Sequence, residues 1–144
     1  MSEHLEQVAV IKWADIKHIR IFSVPNGGHR HRMVAIKLKM EGVRAGVPDL
    51  VIPYARNGYH ALFIEMKFGK NRITPEQKNW ISWLNGQKYL AVVCYGADAA
   101  IKAIEVFFSD TSVTSEETKE KLEKLIEKIR NLVSILPLGD YTNE

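Results

Sequence analysis

Hydrophobic and polar positions follow two spacings along the chain, and each predicts one kind of element. Apolar residues recur every three or four positions over residues 3–17, with Ser2 as an N-cap, which predicts a helix. Further helices are predicted at 31–41, with Gly42 as C-cap, at 74–85 and at 98–108. Shorter apolar runs of strand length predict strands at 19–24, 49–54, 59–67 and 89–95.

The order of these elements predicts an α/β fold. Thr74-Pro75-Glu76-Gln77 has the form of a helix start, with Thr74 as N-cap and Gln77 able to close a capping box. A helix therefore separates two strands, and a strand–helix–strand unit implies a right-handed parallel crossover. The runs 49–54 and 59–67 are separated by Ala-Arg-Asn-Gly, which favours an antiparallel hairpin. The sheet should therefore be mixed.

The end of the chain has a different character. Residues 114–136 are rich in lysine and glutamate and carry one stripe of aliphatic side chains, which predicts an amphipathic helix. We therefore expect a domain over residues 1–110 and a C-terminal helical extension over 111–144. The stripe must be buried, against the chain's own sheet or against a second copy. Its members are Leu122, Leu125, Ile126, Ile129, Leu132, Val133 and Leu136.

Length and composition narrow the class of protein. The 144 residues allow one sizeable core, and 46% hydrophobic with 26% charged residues excludes disorder for all but the ends. No apolar run approaches the roughly 20 residues that span a bilayer, and the start MSEHLEQ lacks a signal-peptide apolar segment. We expect a cytoplasmic protein. Cys94 is the only cysteine, which excludes a cysteine zinc cluster, and its apolar surroundings predict a packing role.

Basic residues gather in two places, although the net charge is only +3. One group lies at 30–44 and the other at 67–72. Such clusters favour contact with a polyanion such as DNA, and a merely solvated face is the alternative. His29 and His31 could ligate a metal, but their arginine neighbours favour phosphate contact. The candidate DNA-binding residues are Asn26, His29, Arg30, His31, Arg32, Arg44, Lys70 and Arg72.

The candidate chemistry lies in Asp49, Glu65 and Lys67. Alternation along a strand places Glu65 and Lys67 on one face. Whether Asp49 joins them depends on the hairpin. A two-residue Asn57-Gly58 turn would place Asp49 opposite Met66, whereas a three-residue loop with a bulge at Gly58 would place it opposite Glu65.

In the second register two carboxylates would lie about 5 Å apart, and their repulsion would call for a cation between them. Oxygen ligands favour Mg²⁺ or Mn²⁺ over zinc. Such an ion polarises a phosphodiester and lowers the pKa of a bound water, and an ammonium group nearby can orient that water. The alternative is that Glu65 and Lys67 form a surface pair while Asp49 caps a turn.

Several motifs in order resemble the PD-(D/E)XK nucleases, and specifically the VRR-NUC family of virus-type replication and repair nucleases. The resemblance covers about residues 2–108. It rests on Gly46-Val47-Pro48-Asp49, Ile64-Glu65-Met66-Lys67, Gln77 and Trp80, with Glu6-Gln7, the turn Pro25-Asn26-Gly27-Gly28 and Thr74-Pro75-Glu76-Gln77. It implies a restriction-endonuclease-like core, in which a mixed central sheet is flanked by helices. The tail after about residue 112 has no counterpart in the family core.

The resemblance also implies an activity. Family members hydrolyse DNA with Mg²⁺ or Mn²⁺ and leave a 5′-phosphate, and stand-alone members of phage-like size tend to be homodimers that cut branched DNA such as four-way (Holliday) junctions. We therefore expect a structure-selective endonuclease in a bacterial or phage-infected host cell. A catalytically silent DNA-binding module on the same fold is the alternative.

Roles carry over residue by residue. The resemblance implies that Asp49 and Glu65 bind the metal together with the Met66 carbonyl, and that Lys67 acts on the water. Glu6 joins the metal shell from the first helix, or Glu3 does so in its place, since they lie one turn apart. Gln77 matches the polar residue that lines the site, although it could equally serve only as part of the helix cap.

Overall fold

In the computed structural model, the described residues are 1–26 and 31–109, together with Glu120 and Glu127. Within them four helices and four strands follow one another in the predicted order. The elements are α1 (Glu3–Ile16), β1 (Phe22–Ser23), α2 (Arg32–Met40), β2 (Leu50–Ile52), β3 (Leu62–Lys67), α3 (Pro75–Gly86), β4 (Leu90–Tyr95) and α4 (Ala97–Phe108).

The strands form one mixed sheet in the order β1-β2-β3-β4. β1 and β2 are antiparallel, as are β2 and β3, while β3 and β4 are parallel and α3 connects them. The structure confirms the predicted α/β class with a mixed central sheet.

The core lies around β3 and β4, whose residues are nearly all buried. α4 adds a buried face that includes Ala100, Ile104 and Phe107, and α1 adds Val10 and Ala14. Burying each large aliphatic or aromatic side chain contributes roughly 1.5–3 kcal/mol.

Cys94 belongs to this core. Its side chain is fully buried in β4, and burial raises the pKa of its thiol to about 12. A thiol that stays protonated is a poor nucleophile, so the structure supports the packing role.

The helix starts are set by local side chains. Ser2 Oγ accepts a hydrogen bond from Leu5 N at 3.3 Å and begins α1. In the capping box of α3, Thr74 Oγ1 accepts from Gln77 N at 3.2 Å, and Gln77 Oε1 accepts from Thr74 N at 2.9 Å. Both starts confirm the predictions, because a cap needs only residues close in sequence.

The first strand is shorter than predicted. Residues 17–19 end α1 instead, because His18 adopts a φ of 57° and Ile19 N donates to Ala14 O at 2.9 Å. This pattern closes a helix by satisfying its last carbonyls. It leaves only Phe22 and Ser23 to pair with β2.

The β2–β3 hairpin combines features of both predicted alternatives. Arg56 and Tyr59 exchange backbone hydrogen bonds of 3.1 and 2.8 Å around a two-residue turn at Asn57 and Gly58, both with positive φ. The connection is therefore the two-residue turn and not the alternative three-residue loop. The strands nevertheless pair Leu50 with Ile64, which is the register expected from that loop.

The extra residue lies before the turn rather than in it. Tyr54 N donates to Ile52 O at 2.9 Å across Pro53, which makes a three-residue γ-turn just after β2. This turn takes up one residue on the first strand, so a two-residue connection still leaves Asp49 beside Glu65.

Two regions of the sequence prediction lie wholly or largely outside the described residues. One is the basic turn at 27–30, and the other is the C-terminal extension at 111–144, where Glu120 and Glu127 alone are described, both in helical backbone. Among the helices of the described part, none combines the length and the apolar character needed to cross a membrane.

Candidate active site

Two acids meet where β2 begins and β3 ends. Asp49 directly precedes β2, and its Oδ2 accepts a hydrogen bond from Met66 N at 2.8 Å. Glu65 lies beside it on β3, with only 2% of its surface exposed. The backbone of β3 thus fixes the Asp49 carboxylate next to Glu65.

Burial raises the pKa of both carboxyls, and repulsion by Asp49 adds to the rise at Glu65. Burial, the neighbouring Asp49 and the more distant Glu3 raise the pKa of Glu65 to about 8, against a lowering by Lys67. Burial also raises the pKa of Asp49, although the Met66 N–H opposes the rise. A protonated Glu65 can bond to Asp49, so the pair is stable when it shares a proton.

Lys67 is also buried, at 7% exposed, and its Nζ lies 3.9 Å from Glu65 Oε1. Strand alternation brings the two side chains to one face, as predicted. The alternative of a surface strand pair is wrong, since both side chains lie in the protein interior.

Gln77 contacts both the helix cap and the acid pair. While its Oε1 closes the α3 capping box, its Nε2 donates to Glu65 Oε1 at 2.6 Å. One side chain therefore makes both the contact expected of a helix cap and a contact with the acid pair. The cap requires the amide oxygen, which leaves the NH₂ group for Glu65.

Gly46 allows α3 to approach this close to the acids. Its φ is +90°, and a Cβ at this position would lie 2.4 Å from the carbonyl carbon of Glu76. Any side chain here would push the Asp49 loop away from the first turn of α3. The sequence presented Gly46 only as part of a motif, and the contact that requires it depends on the tertiary structure.

The acid pair fits a hard divalent cation. Glu65 Oε2 is buried and has no hydrogen-bond partner among the described residues, and the pair offers carboxylate oxygens, which such cations prefer. No group of three or more His, Cys, Asp or Glu side chains in the described residues is arranged to hold a metal. Mg²⁺ is commonly bound through one or two carboxylates, which is the number that Asp49 and Glu65 offer.

Comparison with known proteins decides the family. The VRR-NUC domain model matches residues 1–98. The chain belongs to the VRR-NUC family. A solved structure of a "VRR_NUC domain protein" is 35% identical, with a TM-score of 0.63 over 74% of this chain and 88% of that one. No match was found among the curated proteins. The family interpretation and the predicted core are confirmed, and the chain carries a nuclease-type domain.

Within the VRR-NUC domain, the two acids in the first turn of α1, Glu3 and Glu6, have different surroundings. Glu6 Oε2 accepts a hydrogen bond from Ala97 N at 2.6 Å and so caps α4, whose N-cap Gly96 has no side chain. Glu3 is the acid whose charge acts on Glu65. Glu6 is thus engaged at the start of α4, and a place for either acid in a metal shell stays a prediction. An uncapped helix start at Gly96 was the signal that a distant acid was needed.

The predicted DNA-binding residues of the VRR-NUC domain fall into three groups. Asn26 Nδ2 donates to the carbonyls of Arg44 and Val47, His31 Nδ1 accepts from Met33 N at 3.3 Å, and Arg44 donates to Lys39 O at 3.0 Å. These three residues thus have structural contacts. Arg32, Lys70 and Arg72 are exposed. His29 and Arg30 lie outside the described residues. All eight remain predictions as DNA contacts.

Proposed function

We propose that this VRR-NUC protein is a Mg²⁺- or Mn²⁺-dependent endonuclease that hydrolyses phosphodiester bonds in DNA. One observation carries the proposal: a buried Glu65 oxygen without a hydrogen-bond donor lies beside a second carboxylate and a buried lysine. A core without function would not need three ionisable groups at one strand end, because unpaired buried charge is costly.

Asp49 and Glu65 would hold the cation, together with the Met66 carbonyl that the family resemblance implies. Glu3 is the candidate for a further acid from α1, because its charge acts on Glu65 while Glu6 Oε2 accepts from Ala97 N. When bound, the ion would polarise the phosphodiester and lower the pKa of an attacking water.

Side chains of the protein would orient the water and hold the metal ligands in place. The Lys67 ammonium would orient the water and offset the negative charge that develops on the phosphate. Gln77 holds the Glu65 carboxyl through its 2.6 Å hydrogen bond, so that the acid keeps one rotamer as the substrate binds. Asp49 is held in the same way by Met66 N.

We further propose that the substrate is branched DNA, such as a four-way junction, and that the protein acts as a homodimer. Resolving a symmetrical junction requires two cuts, and each chain carries one acid pair, so a two-fold dimer would supply both sites. α2 is a candidate contact, because Met33, Ile36 and Met40 are exposed on it. Light scattering of the full chain tests this, and a monomer at micromolar concentration would contradict it.

Cleavage is tested with end-labelled linear, flapped and four-way DNA, supplied with Mg²⁺, Mn²⁺ or EDTA and separated on a denaturing gel. We expect cleavage with either cation, none with EDTA, and the fastest cleavage on the junction. Equal rates on all substrates would remove the branched-DNA proposal and leave the nuclease. No cleavage of any substrate with either cation would leave the silent DNA-binding module as the better interpretation.

Two variants separate the proposed roles. Asp49→Asn should abolish cleavage and weaken Mn²⁺ binding, because it removes a charged ligand. Lys67→Met keeps most of the side-chain volume and should lower the rate about a hundredfold or more while Mn²⁺ still binds. Tyr59→Phe, in the hairpin away from the acids, serves as the control. Full activity of Asp49→Asn would contradict the metal site.

A further inference from the structure

A short exposed loop, residues 68–73, joins the catalytic strand β3 to α3. It carries two cationic residues, Lys70 and Arg72, shortly after Lys67 in the sequence. In the part of the chain that the structure describes, neither forms an ion pair with an acid. Both charges are therefore available to an external anion.

One side chain outside the loop holds its middle. The Tyr95 hydroxyl donates to the carbonyl of Asn71 at 2.8 Å. Within the loop, Asn71 N donates to Phe68 O at 3.2 Å, and Gly69 has a φ of +60°. The loop thus contains a tight turn, and the Tyr95 hydroxyl holds its middle at Asn71.

Tyr95 is itself fixed to the catalytic strand. It is the last residue of β4 and the register partner of Lys67, and the next residue, Gly96, donates through its N–H to Lys67 O at 3.0 Å. The hydroxyl therefore sets the position of Asn71, between Lys70 and Arg72, relative to Lys67.

The ring of Tyr95 is not needed for the core. The other residues of β4 are buried, whereas Tyr95 is 43% exposed. The contact that the structure gives this side chain is therefore the hydrogen bond from its hydroxyl to Asn71 O rather than full burial in the core.

We propose that Tyr95 is a positioning residue for DNA: it fixes the 68–73 loop so that Lys70 and Arg72 hold the phosphates of the strand that enters the site at Lys67. The inference rests on the proposed nuclease function. Cations on a fixed loop lose less conformational freedom when they bind phosphate, so the anchor favours binding.

Trypsin tests the anchor without DNA, because Lys70 and Arg72 are themselves cleavage sites in the loop. Tyr95→Phe removes only the hydroxyl, and Tyr89→Phe, just before the other end of β4, is the matched control. We expect Tyr95→Phe to speed cleavage after Lys70 and Arg72 about fivefold, from loss of one hydrogen bond. Tyr89→Phe should match wild type. Fragments are identified by mass spectrometry.

Kinetics on four-way DNA with Mn²⁺ then separate positioning from chemistry. Tyr95→Phe should raise KM about fivefold and leave kcat unchanged. In a Lys70→Gln/Arg72→Gln background the same substitution should have no further effect on KM, because the cations it positions are gone.

Three outcomes would overturn the proposal: loop cleavage by trypsin equal to that of wild type, a fall in kcat at constant KM, or an undiminished KM effect in the double-variant background. Failure of the nuclease proposal looks different, since wild-type protein would then cleave no DNA. In that case Kd for the same DNA replaces KM, and an unchanged Kd in Tyr95→Phe overturns the anchor.

Discussion

The end of β3 and the helix α2 carry comparable numbers of charged residues in opposite settings. At β3, Glu65 and Lys67 are buried. Hydrogen bonds hold the two acids of the site, from Met66 N to Asp49 and from Gln77 Nε2 to Glu65. α2 has no buried residue, and its Met33 and Met40 are 67% and 83% exposed. Burial shifts pKa values and holds reacting groups still, whereas exposure keeps cations charged for a partner. Substitutions should therefore affect stability strongly in the first region and weakly in the second.

The largest expected effect is the pH dependence of stability that Glu65 introduces. Its folded pKa of about 8 lies above the ordinary value of 4.5, so between these values the folded state keeps a proton that the unfolded state has lost. The stabilisation that comes from the Glu65 proton is complete below pH 4.5 and is lost as the pH rises toward 8. Without divalent ions, the free energy of unfolding should be roughly 3 kcal/mol lower at pH 8 than at pH 5.

Urea unfolding in EDTA at both pH values measures this difference. Glu65→Gln resembles the protonated acid and should remove most of the pH dependence. Adding Mn²⁺ at pH 8 should raise the free energy of unfolding of the wild-type protein again. The same addition should change that of Glu65→Gln little. A wild-type protein equally stable at both pH values would mean that the acid pair is less buried than β3 indicates.

The next effect is steric and concerns Gly46. Gly46→Ala would place a Cβ against the backbone of Glu76 and force a positive φ on alanine, so we expect a loss of about 3 kcal/mol. Gly42→Ala is the matched control at the end of α2, because Gly42 also has a positive φ but has open space around it. It should cost only about 1 kcal/mol. Equal losses in urea unfolding would argue against the close approach of α3.

A smaller effect should separate the two roles of Gln77. Gln77→Glu keeps an oxygen that can accept from Thr74 N, so the capping box survives, but it replaces the donor to Glu65 with a third carboxylate. We expect helix content to be retained, while the cleavage rate at pH 7 falls about tenfold or more, because Glu65 loses its positioning hydrogen bond. Circular dichroism and single-turnover cleavage measure the two properties.

Gln77→Ala is the companion variant, since it loses both contacts. If Gln77→Glu cleaved DNA as fast as wild type while Gln77→Ala did not, the cap alone would explain the residue.

The smallest effect on stability is expected in α2. Neutralising Arg32 and Lys39 to glutamine should change the free energy of unfolding by less than about 0.5 kcal/mol, because both side chains are exposed. DNA binding should weaken, and the slope of log K against log salt should fall by about 0.9 for each lost phosphate contact. Fluorescence anisotropy at several salt concentrations measures the slope. An unchanged slope would move the DNA surface away from α2.

Local chemistry made much of this fold predictable. The α3 capping box needs only Thr74 and Gln77, and the face shared by Glu65 and Lys67 follows from strand alternation alone. The position of Asp49 was harder to predict, because it depends on the γ-turn at Pro53. In the sequence, nothing distinguishes this proline from one that makes no γ-turn. The hydrogen bond from Ala97 to Glu6 spans 91 residues, so Gly96 shows that α4 lacks a local side-chain cap but no local pattern identifies Glu6 as the partner.

That same bond ties the order of synthesis to the order of folding. Because the Glu6 carboxylate is the side-chain cap that α4 has at its start, α1 cannot complete this contact until residue 97 has left the ribosome. Nearly the whole domain must be made before its first helix is secured, and long-range closure of this kind slows folding. Until then, α1 can contact β3 but lacks the contacts that it makes with α4 in the folded domain.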